Sequence, residues 1–434
     1  MKNDGLMLNG YVAGRGNLSP EDEALIARRT KALGPAYRLF YETPVHLVRG
    51  EGVWLYDKAG EAYLDTYNNV ASVGHCHPHV VAATAKQSAI FASHTRYLHD
   101  GILDYAERLL ATFPRELGHL MMTCSGSEAN DLAYRIACAQ TGGTGMIVTE
   151  NAYHGVTHTI AGMSPSLGPG VNLGRDVWTV PAPLASGDVG AEFTRGVQAA
   201  LDDMQRHGVK PAALLVDTVF SSDGVFVDPA GFLAPAVAAM RAAGGVFIAD
   251  EVQAGFGRTG DAMWGFQRHG LLPDMVSMGK PMGNGYPVAG LVLRPEVIAG
   301  FGAKARYFNT FGGNAVAAAT AMAVLEVVQN EGLQENARVV GARLAEGLRS
   351  LAKRFDCLGQ LRATGLFLGQ DIQRDGSPDR ALAGRIVNEM REAKVLISST
   401  GAGAHILKIR PPLVFAQNHA DLFLDRLETV LKRL

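Results

Sequence analysis

From about residue 75 onward the chain alternates stretches of helical periodicity with short apolar runs. These are His119–Thr123, Met146–Val148, Ala212–Val216, Gly245–Ala249, Met275–Met278 and Ala289–Leu293. Apolar runs of this length between helices are what a sheet covered on both faces requires. The alternation predicts an α/β fold with a mostly parallel central sheet and right-handed crossovers. Upstream, a helix is expected over Pro20–Leu33, within an arm that reaches about Pro44. β-like runs follow at Val45–Arg49, Gly52–Tyr56 and Ala62–Asp65, separated by Gly50-Glu51 and a turn at Asp57–Gly60, which suggests a small antiparallel unit.

After about residue 330 the pattern changes again. Leu333–Phe355 places Leu333, Ala337, Val340, Leu344, Leu348 and Leu351 on one helical face. Strands are expected around Leu366–Asp371, Val395–Ser398 and Ile406–Ile409. A closing helix should start near Asn418 as N-cap, burying Phe423, Leu427, Val430 and Leu434. The division predicted is 1–70 as an arm and strands belonging to a small domain, 71–325 as the large domain, and 326–434 as the carboxyl-terminal part of the small domain.

Composition narrows the class of function. The 434 residues are 47% hydrophobic with a formal charge of −2, enough for a large core and without the basic excess that nucleic acid or an anionic membrane would call for. Four scattered cysteines form no C-x-x-C pair and no disulfide framework. The amino terminus lacks a continuous apolar run. The longest small-apolar stretch, Ala315 to Val328, is interrupted by Thr320 and Glu326 and is too short to span a bilayer. A soluble, cytoplasmic protein is expected.

Three segments place polar residues at the carboxyl end of an expected strand, the edge where open α/β sheets bind ligands. After His119–Thr123 comes Cys124-Ser125-Gly126-Ser127-Glu128. Ser125-x-x-Glu128 has capping-box spacing, and Gly126 lets the helix start approach an anion such as phosphate. Alone, the segment reads first as an ordinary helix cap. After Gly245–Ala249 comes Asp250, a carboxylate placed deep enough to need a cationic partner. A protonated pyridine would serve, and so would a metal, a salt bridge or a cap. After Met275–Met278 comes Gly279-Lys280-Pro281-Met282-Gly283-Asn284-Gly285. Burial there would lower the Lys280 pKa and free its amine as a nucleophile, although a lone lysine is usually a solvated one. Without an upstream glycine and a following Ser or Thr, Gly279-Lys280 is not a phosphate-binding loop of the Walker type.

Order and spacing add what no segment carries alone. Gly74-His75-x-His77-Pro78, Ser125-Gly126-Ser127-Glu128-Ala129-Asn130, Tyr153-His154-Gly155, Asp250-Glu251-Val252-Gln253-x-Gly255-Phe256-Gly257-Arg258 and Gly279-Lys280 together resemble the class III aminotransferase family of pyridoxal-phosphate (PLP) enzymes, from about Gly34 to the carboxyl terminus. The resemblance implies the aspartate-aminotransferase-like fold, PLP fold type I. It implies that Lys280 holds PLP through its amine and later shuttles the proton. Asp250 would pair with the pyridine nitrogen, with Gln253 near the ring hydroxyl. Ser125, Gly126 and Ser127 would form the cofactor-phosphate turn, Tyr153 would stack on the ring, and His154 would lie beside it. Thr310, in Phe308-Asn309-Thr310-Phe311-Gly312-Gly313, resembles the threonine that reaches the phosphate from a partner subunit, so a homodimer with active sites at the interface is implied. His75-Cys76-His77 looks metal-like, but adjacent residues point apart, and the cluster is read as a loop near the interface, with no metal.

Within the family the chain is most similar to the phospho-lyases acting on phosphoethanolamine and phosphohydroxylysine. The stretches that carry this are Tyr67-Asn68-Asn69-Val70-Ala71-x-Val73-Gly74-His75-Cys76-His77-Pro78, Arg96-x-Leu98-His99-Asp100, Gly279 to Gly285, and Phe308-Asn309-Thr310-x-Gly312-Gly313-Asn314. That likeness implies elimination of phosphate from a small phosphorylated amine. The alternatives are an ω-aminotransferase using a keto acid, an ammonia-lyase acting on an aminophosphonate, and a PLP-fold regulator without turnover. Arg410 and Arg96 are the candidates for a second anion site. Arg410 would also suit the carboxylate of an aminotransferase substrate. One departure stands out: Asp217-Thr218 occupies the place where the family usually has Glu-Pro.

Overall fold

The computed structural model describes residues 9–16, 18–183 and 187–434. Its centre is a seven-stranded sheet whose strands, in chain order, are β1 (His119–Thr123), β2 (Gly145–Thr149), β3 (Val177–Val180), β4 (Pro211–Asp217), β5 (Val246–Asp250), β6 (Met275–Met278) and β7 (Ala289–Leu293). They lie in the order β1-β7-β6-β5-β4-β2-β3. The pairs from β6 across to β3 are parallel, while β7 runs antiparallel to both β1 and β6.

Alternation along these strands shows why the runs are apolar throughout. Met146, Val148, Leu215 and Ile248 face the Gly126–Thr141 helix through Leu132, Ala133 and Ile136. Ile147, Leu214, Val216 and Phe247 face the other way, toward Val197 and Leu201 of the Val189–Arg206 helix and Met240 of the Ala234–Ala242 helix. With both faces covered, neither set of side chains can be polar.

Three strands near the amino terminus, Leu47–Glu51, Trp54–Asp57 and Ala62–Asp65, form an antiparallel ribbon. Val395–Leu396 extends it as a parallel partner of Ala62–Asp65. A second sheet orders Leu358–Thr364, Phe367–Arg374, Ile406–Ile409 and Ser398–Thr400 side by side. Helices Leu333–Ala352, Arg380–Glu392 and Gln417–Leu431 cover these two sheets, joining Tyr63, Leu64, Leu344, Val387, Leu407 and Phe423 in one core. Arg258 crosses from the central domain into this unit. It is 2% exposed, and its guanidinium donates to the carbonyl of Leu366 at 3.2 Å and to that of Pro411.

Several boundaries differ from the sequence reading. The run expected over Val395–Ser398 breaks at Ile397, and its two halves serve different sheets. Val177–Val180 is a strand that was not expected, an edge strand flanked by Arg175-Asp176. The closing helix starts at Gln417 with Ala416 in the cap position, not with Asn418. The Ala416 N–H donates to His419 Nδ1 at 3.0 Å, the reach-back half of a capping box, while the cap residue itself offers no side-chain acceptor. Leu434 lies beyond that helix, half-buried against the same core.

Candidate active site

The carboxyl ends of β1, β4, β5 and β6 converge on a cleft of about 280 Å³. Its lining includes Ser125, Gly126, Ser127, Tyr153, His154, Asp217, Asp250, Gln253 and Lys280. All but Asp217 were singled out in the sequence as cofactor-site candidates, and they meet here although up to 155 positions separate them, since Lys280 − Ser125 = 155.

At the end of β1 the chain turns into the Gly126–Thr141 helix, and the capping box is complete. Ser125 Oγ accepts from the Glu128 N–H at 3.2 Å, and Glu128 Oε2 accepts from the N–H groups of Ser125 (3.2 Å) and Cys124 (2.6 Å). The Ser125 hydroxyl is thus engaged in capping. The backbone donors at Gly126 and Ser127 face the cleft with the positive end of the helix dipole behind them. Two glycines make this possible. A Cβ on Gly126 would lie 2.8 Å from Val252 Cγ2, and one on Gly155, whose φ is +140°, would lie 2.4 Å from Ser127 Oγ.

At the end of β5, Asp250 is nearly fully buried. Its Oδ2 accepts from Asn130 Nδ2 at 2.9 Å and lies 2.7 Å from His154 Nδ1; Oδ1 accepts from the Val252 N–H at 3.1 Å. With a carboxylate as acceptor, Nδ1 is the protonated ring nitrogen. Asn130 also donates to the His154 carbonyl at 2.8 Å. His154 is buried against Asp250 and so orients the carboxylate, while Tyr153, 37% exposed, presents its ring to the cleft. Asn130 was quoted in the motif without a role. Its place in this triad became visible only once two strand ends were brought together.

At the end of β6, Lys280 makes no hydrogen bond or ion pair with any described residue. Its Nζ lies 5.8 Å from the centroid of the Tyr153 ring. Burial, with Arg410 nearby, holds its pKa below the ordinary lysine value against the opposing pull of Asp250 and Asp217. The result is an amine poised to act as a nucleophile. This donor set fits PLP: a lysine without a partner, a buried carboxylate opposite it, and a glycine-lined helix start for a phosphate.

The family-atypical Asp217-Thr218 pair has a local explanation. Asp217 bends back onto its own turn, accepting from the N–H groups of Val219 (3.1 Å) and Ser221 (3.0 Å). The Thr218 hydroxyl donates to Glu251 at 2.8 Å, and Glu251 also accepts from the Gly265 and Phe266 N–H groups, each at 2.7 Å. Burial pushes the Glu251 carboxyl up to about 7.

Gln253 links the cleft to the cations behind it. It donates to Ser221 Oγ at 2.7 Å and accepts from Asn69 at 3.3 Å and from Arg410. Arg410 also donates twice to the Tyr67 carbonyl, at 3.1 and 3.0 Å. Arg96 and Thr310 are not brought to the cleft of their own chain. Arg96 stacks on the Phe308 ring at 3.7 Å, and Thr310 lies beside Phe311, itself 70% exposed. His75 and His77 diverge, His75 to Asp65 (2.7 Å) and His77 to Glu331 (3.1 Å). No helix among the described residues is long and apolar enough to cross a membrane.

Comparison with known proteins agrees with this geometry. The model of the class-III aminotransferase family matches residues 40–431. A solved structure of an Arthrobacter phospholyase in complex with phosphoethanolamine superposes with a TM-score of 0.92 at 42% identity, covering 94% of this chain and 100% of the other. The Drosophila melanogaster alanine–glyoxylate aminotransferase 2-like protein is 39% identical over 92% of this chain and 85% of its own length. The Caenorhabditis elegans ethanolamine-phosphate phospho-lyase homolog 1 is 36% identical, covering 94% and 93% respectively. An aminotransferase structure from Bacillus anthracis, at 24% identity with a TM-score of 0.85 and covering 96% of this chain and 100% of the other, shares the fold.

Proposed function

Because the chain belongs to the class-III aminotransferase family, whose members are PLP enzymes, we propose that it is a phospho-lyase that converts phosphoethanolamine and water to acetaldehyde, ammonia and phosphate, working as a cytoplasmic homodimer. The observation that carries the reading is the 42% identity, over 94% of the chain, to the phospholyase solved with phosphoethanolamine.

Lys280, Asp250, Gln253, Tyr153 and the Gly126–Ser127 turn are the residues that would hold PLP. When bound, PLP supplies an electron sink for the pair left behind as a proton departs from the carbon next to the substrate nitrogen. Lys280, whose pKa burial lowers, takes that proton. Asn130 and His154 fix the Asp250 carboxylate so that it receives a ring N–H without reorienting. On the neighbouring carbon, phosphate is a good leaving group, and its loss competes with return of the proton from Lys280. Arg410 supports the reading as a buried cation whose hydrogen bonds all go to neutral acceptors. The exposed Phe308–Phe311 loop, with Thr310 and Arg96, supports a second copy covering that face. The four unpaired cysteines suit a reducing compartment.

The 39% identity to the aminotransferase-named fly protein favours one alternative, transfer of the amine to a keto acid such as pyruvate. PLP-loaded protein incubated with phosphoethanolamine and no keto acid should release phosphate and acetaldehyde in equal amounts over many turnovers. Amine transfer that starts only on addition of pyruvate would instead establish the aminotransferase. Lys280→Ala should lose the visible absorption of lysine-bound PLP; persistence of that band would remove Lys280 from its role.

A further inference from the structure

The amide of Gln253 is held at both ends. Its carbonyl oxygen accepts from Arg410 and, at 3.3 Å, from Asn69 Nδ2. A guanidinium has only donors, so the end of the amide that meets Arg410 is the oxygen and the other end is the NH2 group. That NH2 group donates to Ser221 Oγ at 2.7 Å. The Ser221 hydroxyl is therefore the acceptor in this bond. The second Nε2–H of Gln253 has no acceptor among the described residues, and Gln253 itself lines the cleft.

Ser221 is fully buried and stands one layer behind the cleft lining. Its backbone is fixed from both domains. The Ser221 N–H donates to Asp217 Oδ2 at 3.0 Å, and its carbonyl accepts from Thr400 Oγ1 at 2.7 Å and Lys408 Nζ at 2.9 Å. Phe220, just before it, has a φ of +51°, and the Phe220 carbonyl accepts from the N–H groups of Asp223, Gly224 and Val225 at 3.0–3.1 Å. A bulky residue in this left-handed region persists only where its surroundings over-determine it. Through the Ser221 hydroxyl, the rigidity of this turn is passed on to Gln253.

Resting on the reading of Gln253 as a residue that holds PLP, we propose that Ser221 is a positioning residue. Its hydroxyl fixes the Gln253 amide so that the remaining Nε2–H is a preset donor to the ring hydroxyl oxygen of the cofactor. A preset donor needs no reorganisation when negative charge settles on its acceptor. It favours the ionised oxygen over the protonated one, as any hydrogen bond given to a charged form does. In lysine-bound PLP that oxygen shares one proton with the Lys280 nitrogen. The fixed N–H therefore makes the shared proton leave at lower pH, and the colour of the bound cofactor reports where it leaves.

The PLP-loaded enzyme is titrated with base and followed through the visible absorption of bound PLP. Ser221→Ala should move the midpoint up by roughly one pH unit. Gln253→Ala should move it in the same direction. Adding Ser221→Ala to Gln253→Ala should move it no further, since the serine acts through the glutamine. Arg410, Asp250 and Asp217, the charged groups around Lys280, are retained in all of these proteins, so the differences isolate the amide. An unmoved midpoint in Ser221→Ala, or shifts that add in the double variant, would overturn the proposal. An unmoved midpoint in Gln253→Ala would overturn it together with the place of Gln253 beside the cofactor. If alanine leaves the buried turn unfolded, Ser221→Cys, close in size but a weak acceptor, should show the same upward shift, and its absence counts equally against the proposal. The phospho-lyase reading fails separately, on absence of phosphate release by the wild-type enzyme.

Discussion

β4 and β5 are neighbours, parallel, and in register so that Asp217 lies opposite Asp250. Each strand is apolar until it ends in an aspartate, yet the two carboxylates do different work. Asp250 is gripped from the side by Asn130 and His154 and is left facing the cleft. Asp217 spends its oxygens on the backbone of its own turn. The difference lies in the downstream chain. After Asp250 the backbone moves on into Glu251-Val252-Gln253, and only the Val252 N–H is taken. After Asp217 a tight turn offers two N–H groups at once. Position at a strand end makes a carboxylate available; the next four residues decide whether it stays so.

The comparison can be broken most severely at Asp250. Asp250→Asn should lower kcat on the order of a thousandfold, measured as phosphate release, while Asp217→Asn should change it only a few-fold. Equal losses would mean that the two ends are not distinct. A smaller effect is expected one layer out: His154→Phe or Asn130→Ala should each cost on the order of tenfold in kcat, through a carboxylate left free to rotate, with KM little changed. Gly155→Ala, placing a methyl against Ser127, should weaken PLP loading when followed by absorbance during cofactor titration.

The smallest effect lies in stability. Burial and Asp250 raise the Asp217 pKa, so the folded state retains this proton to higher pH than the unfolded chain does. That contribution is present below the ordinary carboxylate range near about 4. It is lost as pH rises from there through the raised folded value. Asp217→Asn should flatten this part of the pH dependence of Tm, seen as a difference from wild type, at a cost of about 1 kcal/mol from altered turn hydrogen bonds. A parallel pair of Tm curves would deny Asp217 its raised pKa.

The fold was legible where burial is two-sided. Met275–Met278 and Ala289–Leu293, buried throughout, were readable to the residue because each is a short, unbroken or nearly unbroken apolar run. Val177–Val180, half-buried at the sheet edge, and Leu358–Thr364, where Gly359, Gln360 and Arg362 interrupt the apolar positions, offered no such run. At the site, Lys280, Asp250 and the Ser125–Glu128 turn could be found from their places at strand ends. The Asn130–Asp250–His154 arrangement could not, because it joins three elements distant in the chain.

Arg258 ties the two units together by supplying N–H groups to the carbonyls of buried Leu366 and Pro411. Burial brings its pKa down to about 9, so the cation is held at a desolvation cost that these hydrogen bonds offset only while both units stay packed around it. Melting should therefore be cooperative across both units. A calorimetric scan should show one endotherm whose van't Hoff and calorimetric enthalpies agree, where a domain pair joined only by flexible chain would show two.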